Sequence, residues 1–126
     1  MTPNQRAETL NKRIDENFKK QAHHIYTLWV VNERWNHTIN FFMDDQPRGI
    51  KARRRSTPLM TIDGNSDWEL VEYLVMMVRQ HTQISIQFRG WRPMLDRWPG
   101  SGDIIIRKQR DDDYTPDDAK PDGRYA

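Results

Sequence analysis

The sequence predicts an α+β fold, in which a small, largely antiparallel sheet of four to five strands packs against two helices. Three patterns carry this prediction. Apolar residues recur every three or four positions after Pro3, a capping sequence opens a second helical pattern at Ser66, and residues 84–89 alternate strictly between apolar and polar. We expect one domain over residues 1–110 and an acidic, disordered tail over residues 111–126.

The first helix has a clear predicted start. Thr2 is a suitable N-cap, and Pro3 suits the first helical position, where its missing N–H costs nothing. The residues that follow at helical spacing form one apolar stripe: Ala7, Leu10, Ile14, Phe18 and Ala22. No Gly or Pro interrupts the chain before Pro47, so the sequence contains no obvious stop signal for this helix.

Residues 25–43 allow two structures. The helical stripe could continue through them to about Met43 as one long helix. However, Ile25–Val31 and Thr38–Phe42 are rich in β-branched and aromatic residues, which favour strands. We therefore expect a break near His24 and a β-hairpin with Asn32–Asn36 in its turn.

The predicted hairpin is followed by a turn and two extended segments. Asp44–Gly49 contains Asp, Pro and Gly, which is typical of a turn. Ile50–Ser56 and Leu59–Asp63 are predicted to be extended. These two segments supply the next strands of the sheet.

The remaining elements follow from capping and alternation. Ser66–Glu69 reads as a capping box, and it opens a helix over about 67–82. Ile84–Arg89 is predicted to be a half-buried strand. A loop over Gly90–Gly102 then leads to a last strand at Asp103–Gln109.

Composition narrows the class of protein. The chain has 126 residues and no cysteine, which excludes disulfides and thiolate metal sites and fits a reducing compartment. No apolar run approaches the roughly 20 residues that span a bilayer, and the N-terminus lacks the apolar region of a signal peptide. We expect a cytoplasmic protein that does not bind membranes.

Charge is distributed unevenly along the chain. Residues 1–47 carry six Lys and Arg against six Asp and Glu, and residues 48–110 carry twelve against six. Residues 111–126 carry two against six. A basic middle followed by an acidic end is the strongest bulk feature of the sequence.

The basic middle suggests a nucleic-acid interface. In a strand over 50–56, alternate residues share one face about 6.6 Å apart, so Lys51, Arg53 and Arg55 would point outward together. With outward residues of two other strands they could form a basic sheet face that neutralises phosphates. The predicted nucleic-acid-binding residues are Arg48, Lys51, Arg53, Arg54, Arg55, Gln87, Arg89 and Arg107. The alternative is a charged edge strand that prevents aggregation.

The loop from Trp91 to Trp98 suggests a protein interface instead. Tryptophan, arginine and methionine dominate the hot spots of protein interfaces, and long loops in small domains often carry function. The predicted protein-binding residues are Trp91, Arg92, Met94, Arg97 and Trp98. Alternatively, the two tryptophans fold back to close a core that is short of aliphatic residues.

Catalysis is not predicted. The sequence lacks a phosphate-binding glycine loop, a dinucleotide fingerprint and a nucleophile elbow. His23 and His24 are adjacent, a spacing that suits neither a helical nor a strand metal pair. We therefore expect no enzyme, no cofactor and no metal site. The expected function is a small nucleic-acid-binding accessory protein, or alternatively an interaction or inhibitory module that binds a partner protein.

The tail over residues 111–126 has two interpretations. It is either a solubilising end, or its clustered aspartates lie on the basic residues and compete with nucleic acid. In both cases it lacks apolar groups to bury. Deleting residues 111–126 is therefore expected to leave the melting temperature nearly unchanged, as measured by circular dichroism. A large drop would contradict the predicted domain boundary.

Overall fold

The strands form one four-stranded sheet, and both helices pack on the same side of it. The computed structural model describes residues 1–18, 24–47 and 55–107. Within these residues the elements are α1 (Pro3–Asn17), β1 (His24–Glu33), β2 (Thr38–Pro47), β3 (Arg55–Asp63), α2 (Trp68–His81) and β4 (Ser85–Arg89). The strand order is β3-β2-β1-β4, with β4 parallel to β1 and the other pairs antiparallel. The predicted α+β class is confirmed.

The start of α1 follows the sequence, but its end does not. The Thr2 hydroxyl accepts a hydrogen bond from the Gln5 amide, and the Gln5 side chain accepts one from the Thr2 amide. The helix ends at Asn17, before the end of the predicted stripe. Phe18 has an extended backbone and packs edge-on against Tyr26, so tertiary packing ends the helix there. Ala22 lies outside the described residues.

The predicted hairpin is confirmed, and the alternative of one long helix is excluded. β1 and β2 pair in register from His24–Pro47 to Glu33–Thr38. Both strands are longer than predicted. Asn32 was expected in the turn, but it is buried within β1, where it pairs with Ile39.

The predicted turn at Asp44–Gly49 is also partly wrong, because residues 44–47 belong to β2. Asp44 and Asp45 pair with β1 on one side and with β3 on the other. This two-sided pairing satisfies their backbone groups and outweighs the local turn preference. Arg48 and Gly49 lie outside the described residues.

β3 joins two segments that the sequence analysis separated. Pro58 lies inside the strand, next to a register shift opposite Phe41 and Phe42. Proline is tolerated here because β3 is an edge strand and because a bulge interrupts the ladder. The described strand begins at Arg55, so most of the predicted segment Ile50–Ser56 lies outside the described residues.

Two further predictions need correction. The N-cap of α2 is Asp67, whose carboxylate accepts a hydrogen bond from the Leu70 amide, rather than Ser66. The predicted last strand at Asp103–Gln109 is wrong over residues 103–107, which form only one isolated bridge, between Ile104 and Arg97. The Ile105 amide donates to the Asp96 carbonyl, so this segment is held by the preceding loop and not by the sheet.

The core lies between the helices and one face of the sheet. Alternate residues of β1 and β2 supply its centre, and α1 and α2 supply its cover. The residues that are completely buried are Leu10, Ile14, Leu28, Val30, Ile39, Phe41, Val71, Leu74 and Val78. The opposite face of the sheet is covered by neither helix, and this open face is where the candidate site lies.

Two positions on β1 test this one-sided burial. Leu28 is 0% exposed and Ile25, on the other face, is 43% exposed. Leu28→Ala is expected to reduce the free energy of unfolding by about 2–5 kcal/mol, because it leaves a cavity in the core. Ile25→Ala is the matched control and should cost about 1 kcal/mol or less. Chemical denaturation measures both, and equal losses would contradict the assignment of faces.

Candidate functional site

Of the predicted nucleic-acid-binding residues that the structure describes, Arg55 lies on the opposite face of the sheet from Gln87 and Arg89. Arg48, Lys51, Arg53 and Arg54 lie outside the described residues. Arg55 pairs with Asp45 and therefore points to the helix side of the sheet, whereas Gln87 and Arg89 point to the open face. Arg107 follows the loop after β4, is exposed, and lies 4.0 Å from the Asp103 carboxylate. The structure thus brings Gln87 and Arg89 together and separates them from Arg55.

Two connecting segments that are rich in Lys and Arg join the described chain at one end of the sheet, which we call the basic end. Here β1 begins at His24, β2 ends at Pro47 and β3 begins at Arg55, and His24 pairs with Pro47. Two connecting segments join the described chain at this end, residues 19–23 and residues 48–54. They contain six Lys and Arg and no Asp or Glu: Lys19, Lys20, Arg48, Lys51, Arg53 and Arg54.

The open face carries, near the middle of the hairpin, an aromatic and cationic group that the sequence analysis missed. We call it the open-face cluster: Trp29, Val31, Phe42 and Arg89. Trp29 and Phe42 are register partners in β1 and β2, and Arg89 is the register partner of Val31. The Arg89 guanidinium carbon lies 4.5 Å from the centre of the Trp29 ring, which is a cation–π contact. Side chains alternate between the two faces along a strand, so the register between the strands could have shown that these four residues share one face.

The cluster lines a shallow depression of about 430 Å³, which Glu33, Asp44 and Ser56 complete. Beside it, a polar network covers the part of the face nearer the hairpin turn. The Asn40 amide donates to Glu33 and to the Thr38 hydroxyl, and the Thr61 hydroxyl donates to Asn40. These bonds cross from β1 to β3, so they hold the polar side chains in defined positions.

Among the residues that the structure describes, the charged side chains of the open face are mostly acidic. Glu33, Asp44 and Asp63 share this face with Arg89. The described side chains of this face therefore do not make it a basic surface. Arg89 is the cationic side chain that the described strands place on this face.

The two predicted interface tryptophans are buried. The Trp91 indole donates to the Val30 carbonyl at 3.1 Å, and its ring packs against Trp68 and Trp98. The Trp98 ring also packs edge-on against Phe88. The structure therefore agrees with the alternative in which the two tryptophans fold back and close the core. Glycine is required where this loop begins, because Gly90 has φ +83° and a Cβ there would lie 2.2 Å from the Asn32 carbonyl oxygen.

The rest of the loop is exposed but tightly held. Arg92, Met94 and Arg97 are exposed, as is Leu95, with Met94 at 48% and Leu95 at 65%. The buried Asp96 carboxylate accepts hydrogen bonds from the Arg92 amide at 2.7 Å and from Arg92 Nε at 2.8 Å. The loop therefore presents a small apolar tip on a fixed backbone.

The sequence analysis also did not single out Trp35. It lies in the turn between β1 and β2 and is 96% exposed. A tryptophan this exposed contributes nothing to the core, and hot spots of binding surfaces are enriched in this residue. It lies at the opposite end of the hairpin from the basic end.

Two contacts between a histidine and an aspartate link separate structural elements of the described chain. His24 Nδ1 lies 2.5 Å from an Asp45 carboxylate oxygen, and His81 Nε2 lies 2.9 Å from an Asp15 oxygen, which joins α2 to α1. Over residues 1–18, 24–47 and 55–107 there is no group of three or more His, Cys, Asp or Glu that could hold a metal ion. No helix described there is long and apolar enough to cross a membrane.

The chain was compared with protein-family models, with curated proteins and with solved structures, and none of them matched it.

The loop predicts a stability difference between two aspartates. Asp96→Ala removes a buried acceptor and leaves the Arg92 amide without its partner, so we expect a loss of about 1–3 kcal/mol in the free energy of unfolding. Asp103→Ala is the control, because Asp103 is exposed and should cost about 0.5 kcal/mol or less. Urea denaturation distinguishes them, and a silent Asp96→Ala would contradict the role of this carboxylate.

Proposed function

We propose that this protein is a small cytoplasmic nucleic-acid-binding accessory protein whose basic end contacts phosphates. One observation carries the proposal. Two connecting segments with six Lys and Arg and no acidic residue join the sheet at the same end. Cations clustered in this way neutralise several phosphates and release the counterions bound to them, which drives association.

The described residues themselves carry no excess of positive charge. Residues 1–18, 24–47 and 55–107 carry ten Lys and Arg against twelve Asp and Glu. The excess of positive charge is thus confined to segments that adjoin the basic end, rather than spread over the surface. A confined excess orients a polyanion, whereas a uniform one only attracts it.

The alternative function is binding of a partner protein by the Trp91–Trp98 loop. The exposed Met94 and Leu95 side chains on a fixed backbone favour it. Burial of Trp91 and Trp98 removes the two largest predicted contact residues from that surface. We therefore rank nucleic-acid binding first.

The test is a triple substitution in the connection between β2 and β3. Lys51→Ala, Arg53→Ala and Arg54→Ala together should weaken nucleic-acid binding and flatten the log–log dependence of affinity on salt by roughly 2 to 3 units, about 0.7 to 0.9 per lost phosphate contact. Fluorescence anisotropy with a labelled oligonucleotide measures affinity and slope, and circular dichroism checks the fold.

The matched control removes the same charge elsewhere. Lys12, Arg34 and Arg79 are exposed and lie on α1, in the hairpin turn and on α2. Replacing these three by Ala should leave the salt slope within about one unit of wild type. Equal effects of the two triple variants would show that only net charge matters. If the wild type binds neither single- nor double-stranded probes at about 50 mM salt, the proposal is wrong, and the Trp91–Trp98 loop becomes the leading candidate site.

A further inference from the structure

The two edges of the sheet differ in how they are protected against pairing with another strand. β3, at one edge, contains Pro58 and a register shift opposite Phe41 and Phe42, and both features disfavour the addition of a strand. β4, at the other edge, runs from Ser85 to Arg89 without a proline and without a register shift. Its outer row of backbone N–H and C=O groups is therefore a template on which a further strand can pair.

No described segment occupies the outer edge of β4. Among residues 1–18, 24–47 and 55–107, the backbone hydrogen bonds outside the helices and strands involve none of residues 85–89. The chain passes beside this edge at residues 104–107, but there the Ile105 amide donates to the Asp96 carbonyl and the Met94 amide donates to the Ile106 carbonyl. That segment is thus bonded to the loop before it, and a groove of about 560 Å³ lies between it and β4.

The charge on β4 does not protect this edge. Charged side chains prevent strand addition when they project across an edge. Arg89 is instead turned toward β1, where its guanidinium carbon lies 4.5 Å from the centre of the Trp29 ring. The other residues that β4 directs to the open face, Ser85 and Gln87, are neutral.

The helix side of β4 leaves apolar surface at the edge. Ile86 and Phe88 point to this side, the same side as the buried residues of β1, but both are only half-buried. They line the groove together with Trp98, Ile104 and Ile106. An added strand with apolar side chains at alternate positions would cover this surface while its backbone pairs with β4.

We propose that β4 pairs with β4 of a second copy of this chain, antiparallel and about a two-fold axis at Gln87, so that the two sheets become one. β4 is self-complementary in this register. Ile86 lies opposite the partner's Phe88 on the helix side. On the open face, Ser85 lies opposite the partner's Arg89, and Gln87 lies opposite the partner's Gln87. An aromatic residue opposite a β-branched one is a favourable cross-strand pair, and no two like charges meet.

The same sequence disfavours other registers and larger assemblies. A shift of one residue would place Phe88 opposite Gln87 or Ser85, and a shift of two would leave two residues of each strand unpaired. A two-fold contact uses the same edge of both copies, and the remaining edge of each copy is the protected strand β3. Assembly therefore stops at two copies and does not continue as a filament.

The experiment measures the mass of the full chain in solution, without nucleic acid. Sedimentation equilibrium at chain concentrations up to about 1 mM includes weak interfaces, and we expect a dimer whose fraction rises with concentration. Hydrogen exchange at the backbone amides of β4 should slow over the same range, whereas exchange at β3 should not change. This inference does not depend on nucleic-acid binding, so either proposal can fail without the other.

Gln87 gives the sharpest test, because it faces itself across the axis only in this register. Gln87→Lys and Gln87→Glu each oppose two like charges, so each should weaken the dimer by about 5-fold or more at low salt. An equimolar mixture of the two variants should form a mixed dimer at least as stable as wild type, because opposite charges then meet. Gln80→Lys and Gln80→Glu are matched controls on the exposed side of α2 and should associate as wild type does.

Three results would overturn the proposal. The first is a full chain that stays monomeric at every concentration. The second is a dimer that both Gln87 variants leave unchanged, or that the Gln80 variants weaken equally. The third is a monomeric full chain that dimerises only after deletion of residues 108–126, which would assign this edge to the C-terminal segment of the same chain. Because Gln87 is exposed, its variants should fold, and circular dichroism checks this.

Discussion

The register between β1 and β2 determines the identity of both faces of the sheet. Side chains alternate along each strand, so pairing Val30 with Phe41 places these residues in the core, and pairing Trp29 with Phe42 places those on the open face. A slip of one residue would exchange the two sets, exposing the core residues and burying polar ones. β4 joins the same register, so that Phe88 enters the core side and Arg89 reaches Trp29. Core and candidate site thus depend on one set of backbone pairings.

Closing the core uses residues that would otherwise suit an interface. The segment after β4 folds back over the sheet, where Trp91 and Trp98 pack against each other and against Phe88 and Trp68. The Trp91 indole finds a backbone acceptor at Val30, so its burial leaves no polar group unsatisfied. Asp96 and Glu72 then hold the loop through hydrogen bonds to backbone amides of Arg92, Gly100 and Ser101. The large apolar side chains that remain exposed on this loop are Met94 and Leu95.

The electrostatic organisation of the molecule differs from that of a basic sheet. Glu33, Asp44 and Asp63 lie on the open face, and Arg55 points to the opposite side. Residues 19–23 and 48–54, which connect the described elements at one end of the sheet, contain six Lys and Arg and no Asp or Glu.

The sequence by itself determined the elements that depend on neighbours along the chain. The Thr2 cap of α1, the amphipathic helix α2, the alternation in β4 and the β-branched residues of β1 are local signals, and each appears in the fold. The tertiary structure alone decided the rest. Three features depend on which distant segments pair or pack. They are the lack of a strand at residues 103–107, the burial of Trp91 and Trp98, and the opposite orientations of Arg55 and Arg89. Local patterns could not reveal them, because a strand's alternation specifies two faces but not which one the helices will cover.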